Sequence, residues 1–260
     1  MGVEAERNFV EHMRWDDVAR HIGAGAAAIL PIGAGAKEHG LHLPLNTDRI
    51  QAEFLASKLA GRIDALVWPT LAYGHYPAFV DYAGSISLSA ATFEAMVMEI
   101  ASEILRHGCR ALFVLDTGIS TLAPVERALA RLDAGHALHL KIHEGPHYRR
   151  AAAALTRQSH GSHADELETS LMLAISPEIV EMSRAEASPA IAQAAPGRLT
   201  PSDKTSPNYS RSGSFGDPTF ATLEKGQALL AAMLDDLAEQ ATSFLAKRSG
   251  TANRVRGAAS

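Results

Sequence analysis

What most constrains this chain is an alternation of short apolar runs with longer segments of helical periodicity. Ala26–Ile32 is an apolar run ending at Gly33, and it reads as a buried strand. Asp48–Gly61 places Ile50, Phe54, Leu55 and Leu59 on one helical face, with Gly61 as a stop. Ala65–Leu71 reads as a second strand, with Pro69 near its end. Ser89–His107 is a long helix entered at Ser89 and ended by Gly108. Arg110–Leu115 is a third strand, Leu122–Leu132 a helix and His136–Ile142 a fourth strand. Ala164–Ile175 is a helix that stops before Pro177. Strands that alternate with helices imply right-handed crossovers. The expected fold is therefore α/β, a three-layer αβα arrangement around a mostly parallel sheet.

The remainder is organised differently. Residues 183–216 are rich in Ser, Pro, Ala and Gly without periodicity, which marks a long functional loop or cover segment. Helix returns over Asp217–Ala246, and residues 247–260 are expected to form a disordered tail. A chain of 260 residues with 47% hydrophobic residues can bury a large single core. The net charge of −5 argues against nucleic acid as a partner. The lone Cys109 excludes an internal disulfide, and no apolar stretch is long enough to cross a membrane. Residues 1–20 lack the apolar centre of a signal peptide, so cytoplasmic residence is expected.

The loop after the first strand carries the chemistry. It packs Lys37, Glu38, His39, His42 and Asp48 into twelve residues. In a parallel sheet such loops line the ligand crevice. Imidazole and carboxylate are the usual ligands of zinc and manganese. Plainer readings exist beside this one. Asp48 can cap the following helix, and either histidine can be a hydrogen-bonded loop residue. A dinucleotide loop is excluded, because Glu38 stands where the third glycine would be. A second group, His163, Glu166 and Glu168, opens the Ala164–Ile175 helix, with His163 and Glu166 three apart and thus on one face. Here too capping is the plainer reading, since Ser162 and Asp165 resemble a capping box.

These stretches resemble the creatininase (creatinine amidohydrolase) family. The family's Glu-x-His-Gly-x-His stretch, followed by an Asp nine residues after the first His, is matched by His39, Gly40, His42 and Asp48. His163-Ala-Asp-Glu-Leu-Glu-Thr-Ser170 resembles a second signature. Phe215-Gly-Asp-Pro218 resembles the stretch before the family's last helix, and Ala83-Gly-Ser-Ile-Ser-Leu88 is a weaker fourth match. The resemblance spans roughly residues 25–235. It implies a single creatininase-like domain over residues 1–246.

The resemblance also implies a metal-dependent amidohydrolase that cleaves a C–N bond of a small amide, cyclic amides included. The cofactor would be zinc or manganese, with iron also compatible. The partners implied are a small-molecule substrate and further copies of the chain, as a homo-oligomer built as a trimer or hexamer. By position His39 and Asp48 inherit metal-ligand roles, Glu166 joins them, and His163 and Glu168 are the catalytic acid/base and active-site groups.

Two departures stand out. The family's ligand Glu lies two residues before its His, where this chain has Lys37, with Glu38 one place later. A bulge in the longer loop is expected to bring Glu38 to the metal and turn Lys37 away. In the alternative, the Lys37 ammonium takes the place of a cation. The third strand also runs into Asp116-Thr-Gly-Ile-Ser-Thr121, where the family has Asn-Gly-His. Asp116 is the substitute oxygen ligand expected there, or else a helix cap. These departures keep open a second reading, a non-catalytic protein of the same fold whose decayed site serves binding or assembly.

Overall fold

The computed structural model describes residues 7–132, 135–188 and 197–257, with side chains to residue 248. Its four strands are β1 (Ala27–Ile32), β2 (Ala65–Val67), β3 (Leu112–Asp116) and β4 (Ala137–Lys141). They form one fully parallel sheet in the order β2-β1-β3-β4. All four expected strands are thus in the same sheet. β2 ends four residues early, because Pro69 interrupts the run; only an isolated pairing of Ile32 with Leu71 continues it.

Alternate residues of each strand point to opposite faces, and each face has its own helices. Ala27 and Ile29 of β1, with Phe113 and Leu115 of β3, pack against α2 (Thr47–Ile63), α6 (Glu166–Ile175) and α7 (Leu223–Gly257). Ala28, Leu30 and Ile32, with Leu112 and Val114, pack against α3 (Ala90–Arg106) and α4 (Leu122–Leu129). This is the three-layer α/β architecture. α3 buries Phe93, Val97, Ala101 and Ile104, a stripe at helical spacing. The Ser89 side chain caps its first turn by accepting from the Thr92 N–H.

Two helices were not legible in the sequence. α1 (Trp15–Gly23) buries no residue, and α5 (Pro146–Leu155) buries only Tyr148. Both are amphipathic but lie at the margin of the core, burying one residue at most between them. α7 begins at Leu223, because Asp217-Pro218 first makes a 3-10 turn capped by the Asp217 carboxylate. It then continues through residues 247–257, where a tail was expected. Residues 258–260 lie outside the described residues. Among the described residues no helix is long and apolar enough to cross a membrane.

The centre of the α3 stripe gives a direct test of this packing. Phe93→Ala is expected to destabilise the protein by about 3–5 kcal/mol, read as a shift in the urea midpoint.

Candidate active site

All strands run parallel, so the loops after β1, β2 and β3 gather at one end of the sheet. The β1 loop turns sharply at Gly33, where a Cβ would collide with the Asp48 backbone. That close approach sets the first turn of α2, which carries Asp48, beside the carboxyl end of β1.

Asp48 is the hub. Its Oδ1 lies 2.9 Å from His39 Nε2, and its Oδ2 lies 2.7 Å from Lys37 Nζ. Burial opposes its ionisation. The Lys37 ammonium and the His39 ring outweigh that and hold the carboxyl well below the usual range. His39 is fully buried, and its Nδ1 lies 2.8 Å from the Lys37 carbonyl. A carbonyl only accepts, so Nδ1 carries the proton and Nε2 presents its lone pair. That lone pair faces Asp48 Oδ1 and, at 3.7 Å, Glu168 Oε1.

The Glu38 expectation is corrected. Lys37 points inward, and Glu38 turns the other way, accepting the Gly40 N–H and meeting His163 Nε2 at 3.1 Å. Lys37 therefore occupies a cation position beside Asp48, walled by Phe79 and Tyr76 with ring centres 4.9 and 5.7 Å from Nζ. Burial lowers its affinity for a proton, but Asp48, Glu168 and Glu38 together raise it above the ordinary value.

The Glu38 carbonyl, 2.9 Å from His163 Nε2, fixes the proton on that nitrogen and leaves Nδ1 free to face Glu168 Oε2 at 3.7 Å. Burial pulls the His163 pKa down; the Glu38 carboxylate overcomes this and raises it. Glu38 is itself confined by Gly213, which has φ +89° and leaves no room for a Cβ beside the carboxylate. The segment expected to act as a cover thus reaches the site at residues 208–216, where Asn208, Ser210, Ser212 and Ser214 are buried. Its residues 189–196 lie outside the described residues.

Glu166 is the second correction. The expected shared face with His163 does not form, because Ala164 adopts φ +44° and α6 starts only at Glu166, capped by Asp165. Glu166 then points away from the crevice. One carboxylate oxygen accepts from the Arg157 and Gln158 N–H groups at 2.8 and 2.7 Å, and the other pairs with Lys225. Glu168, two residues on, turns back instead. It accepts the Ala164 N–H at 2.7 Å and is steadied by Gln51 Nε2 at 3.4 Å. Burial raises its pKa, and the His39 and His163 rings more than reverse this.

Asp116 is also committed elsewhere. It accepts from Gly118 N and Thr121 Oγ1 at 2.9 and 2.8 Å and meets His139 at 3.2 Å, so it serves as the cap of its loop. Among the described residues, the side chains able to converge on one metal ion are His39, His163 and Glu168, whose donor atoms lie within 4.8 Å of one another. An imidazole lone pair aimed at two carboxylates is satisfied by a cation, so this donor set suits a divalent ion. His42, by contrast, is structural. Its Nε2 meets Thr169 Oγ1 at 2.8 Å, and burial pushes its pKa down to about 4. Gln51, Tyr76 and Phe79 were missed in the sequence. Gln51 had a signal, since it lies three residues after Asp48 on the same helical face.

The fold is α/β, and an imidazole–carboxylate cluster stands at the carboxyl end of its sheet. The family model described as creatinine amidohydrolase matches residues 11–241, and the chain belongs to the creatininase family. It is a hydrolase of that type. It is 26% identical to the creatinine amidohydrolase of Pseudomonas putida, covering 89% of this chain and 95% of that protein. It is 31% identical to a mycofactocin precursor peptide peptidase of Mycobacterium ulcerans, covering 80% and 81%. A solved manganese creatininase superposes with a TM-score of 0.77 at 24% identity, covering 90% of this chain and 96% of that one. A Zn-Zn type creatininase variant gives 0.77 at 24%, covering 89% and 96%.

Gly213 tests the cover loop's hold on Glu38. Gly213→Ala is expected to cost about 1–3 kcal/mol through backbone strain alone, with displacement of Glu38 added. Denaturant unfolding checks this, and an unchanged midpoint would show that the loop yields freely.

Proposed function

We propose that this chain is a metal-dependent amidohydrolase that cleaves a C–N bond in a small amide, using one divalent ion, zinc or manganese. The observation that carries this reading is the convergence of His39, His163 and Glu168 around one point, with Asp48 backing His39. His39 Nε2 and Glu168 would hold the ion, with His163 Nδ1 facing it and Asp48 Oδ1 backing His39. Such an ion polarises a carbonyl and lowers the pKa of water toward neutrality.

The chain's own groups supply the proton transfers. Glu38 fixes the His163 tautomer, as a carboxylate orients an imidazole in hydrolases generally. His163 Nδ1 then takes a proton from the attacking water and delivers it to the departing nitrogen, which leaves as a neutral amine. Burial of the cluster strengthens every charge interaction in it. Manganese and zinc in related creatininases support the choice of ion. The creatinine and peptide substrates named for relatives support an amide carbonyl as the reacting group. Cytoplasmic residence and a homo-oligomeric state, trimer or hexamer, belong to the same proposal, and light scattering checks the latter.

One observation favours a second reading, a metal-free binding protein: the Lys37–Asp48 pair already neutralises one carboxylate. Metal content and mutants separate the two. His39→Ala is expected to lose the ion and to melt lower, because an ion at about a hundred times its Kd adds about 2.7 kcal/mol to the folded state. Unchanged metal content would sink the proposal. Glu168→Gln is expected to lose metal as well. Glu166→Gln should instead keep the metal and lose stability on the order of 3 kcal/mol, through its broken pairing with Lys225. Elemental analysis and thermal melts of the two variants side by side read out this contrast.

A further inference from the structure

Three carboxylates, of Glu38, Asp48 and Glu168, surround the cluster, and one ammonium, Lys37 Nζ, stands among them. With both imidazoles neutral, the group carries an excess of two negative charges. One divalent ion cancels that excess. A second would leave two positive charges in a buried place, which is costly. Protonating either imidazole makes a second ion less favourable still.

The geometry divides the same way. The Asp48 carboxylate presents Oδ1 to His39 and Oδ2 to Lys37. On the Oδ1 side lie imidazole and carboxylate donors. On the Oδ2 side lie the rings of Phe79 and Tyr76, whose faces attract an organic cation. We infer that Lys37 is a resident cation of the active site, occupying the second positive position beside Asp48 and limiting this hydrolase to one divalent ion per chain. This rests on the metal-dependent reading and adds to it the stoichiometry and the residue that sets it.

The inference is read by metal counting. The purified protein is equilibrated with excess zinc, and separately with manganese, then freed of unbound ion and analysed for metal against protein. The wild type is expected to saturate at about one ion per chain. Lys37→Glu presents four carboxylates with no ammonium and is expected to take up about two. A wild type that holds two, or a folded Lys37→Glu that stays at one, overturns the inference. A wild type that holds none overturns the metal-dependent reading itself. Lys37→Met, which removes the charge but little of the bulk, serves where Lys37→Glu does not fold. It is expected to keep one ion and bind it about tenfold more tightly in competition with a chelating dye, since a neighbouring positive charge is gone. Unchanged or weaker binding in Lys37→Met also overturns the inference.

Discussion

A buried carboxylate must be paid for in counter-charge, and in this molecule the carboxylate of Asp48 organises everything around it. It stands at the start of α2 with Lys37 on one oxygen and His39 on the other. Its neighbours are fixed in turn. The Lys37 carbonyl sets the His39 tautomer, His39 faces Glu168, and Glu168 leans on the backbone of Ala164. Removing the negative charge at Asp48 would take from the buried Lys37 ammonium its nearest counter-charge and leave Glu168 as the one carboxylate facing His39. The strands, the tight turn at Gly33 and the start of α2 together hold this one group in place.

The sequence displayed the scaffold better than the site. The strands and the major helices were legible because apolar residues repeat with the strand or helix period, as in the Phe93, Val97, Ala101 and Ile104 stripe. The candidate cluster was legible as a set of residue types: His39, Asp48, His163 and Glu168 do converge. Which way neighbouring side chains turn was not. Lys37 and Glu38 are adjacent, and only the path of the backbone decides which faces Asp48. Glu166 and Glu168 were exchanged for a similar reason. The left-handed backbone at Ala164 delays the helix, so face assignments drawn from ideal periodicity fail by a fraction of a turn. Nor could local spacing reveal Lys225 as the partner of Glu166, since that ion pair joins residues 59 positions apart.

Glu38 and His163 meet although 125 positions separate them in the chain, while His39 and Asp48 are only nine apart. The clustered groups are therefore of two kinds. One half of the constellation is local to the β1 loop and α2, and it can form as soon as those elements dock. The other half requires the whole sheet to be laid down and α6 to close over it. Contacts of such long range are formed late and limit folding rate. The contact of Glu38 with His163 is thus a seal on the finished molecule: a chain interrupted between β4 and α6 keeps the loop of histidines and acids, yet lacks the imidazole and carboxylate that close the cluster.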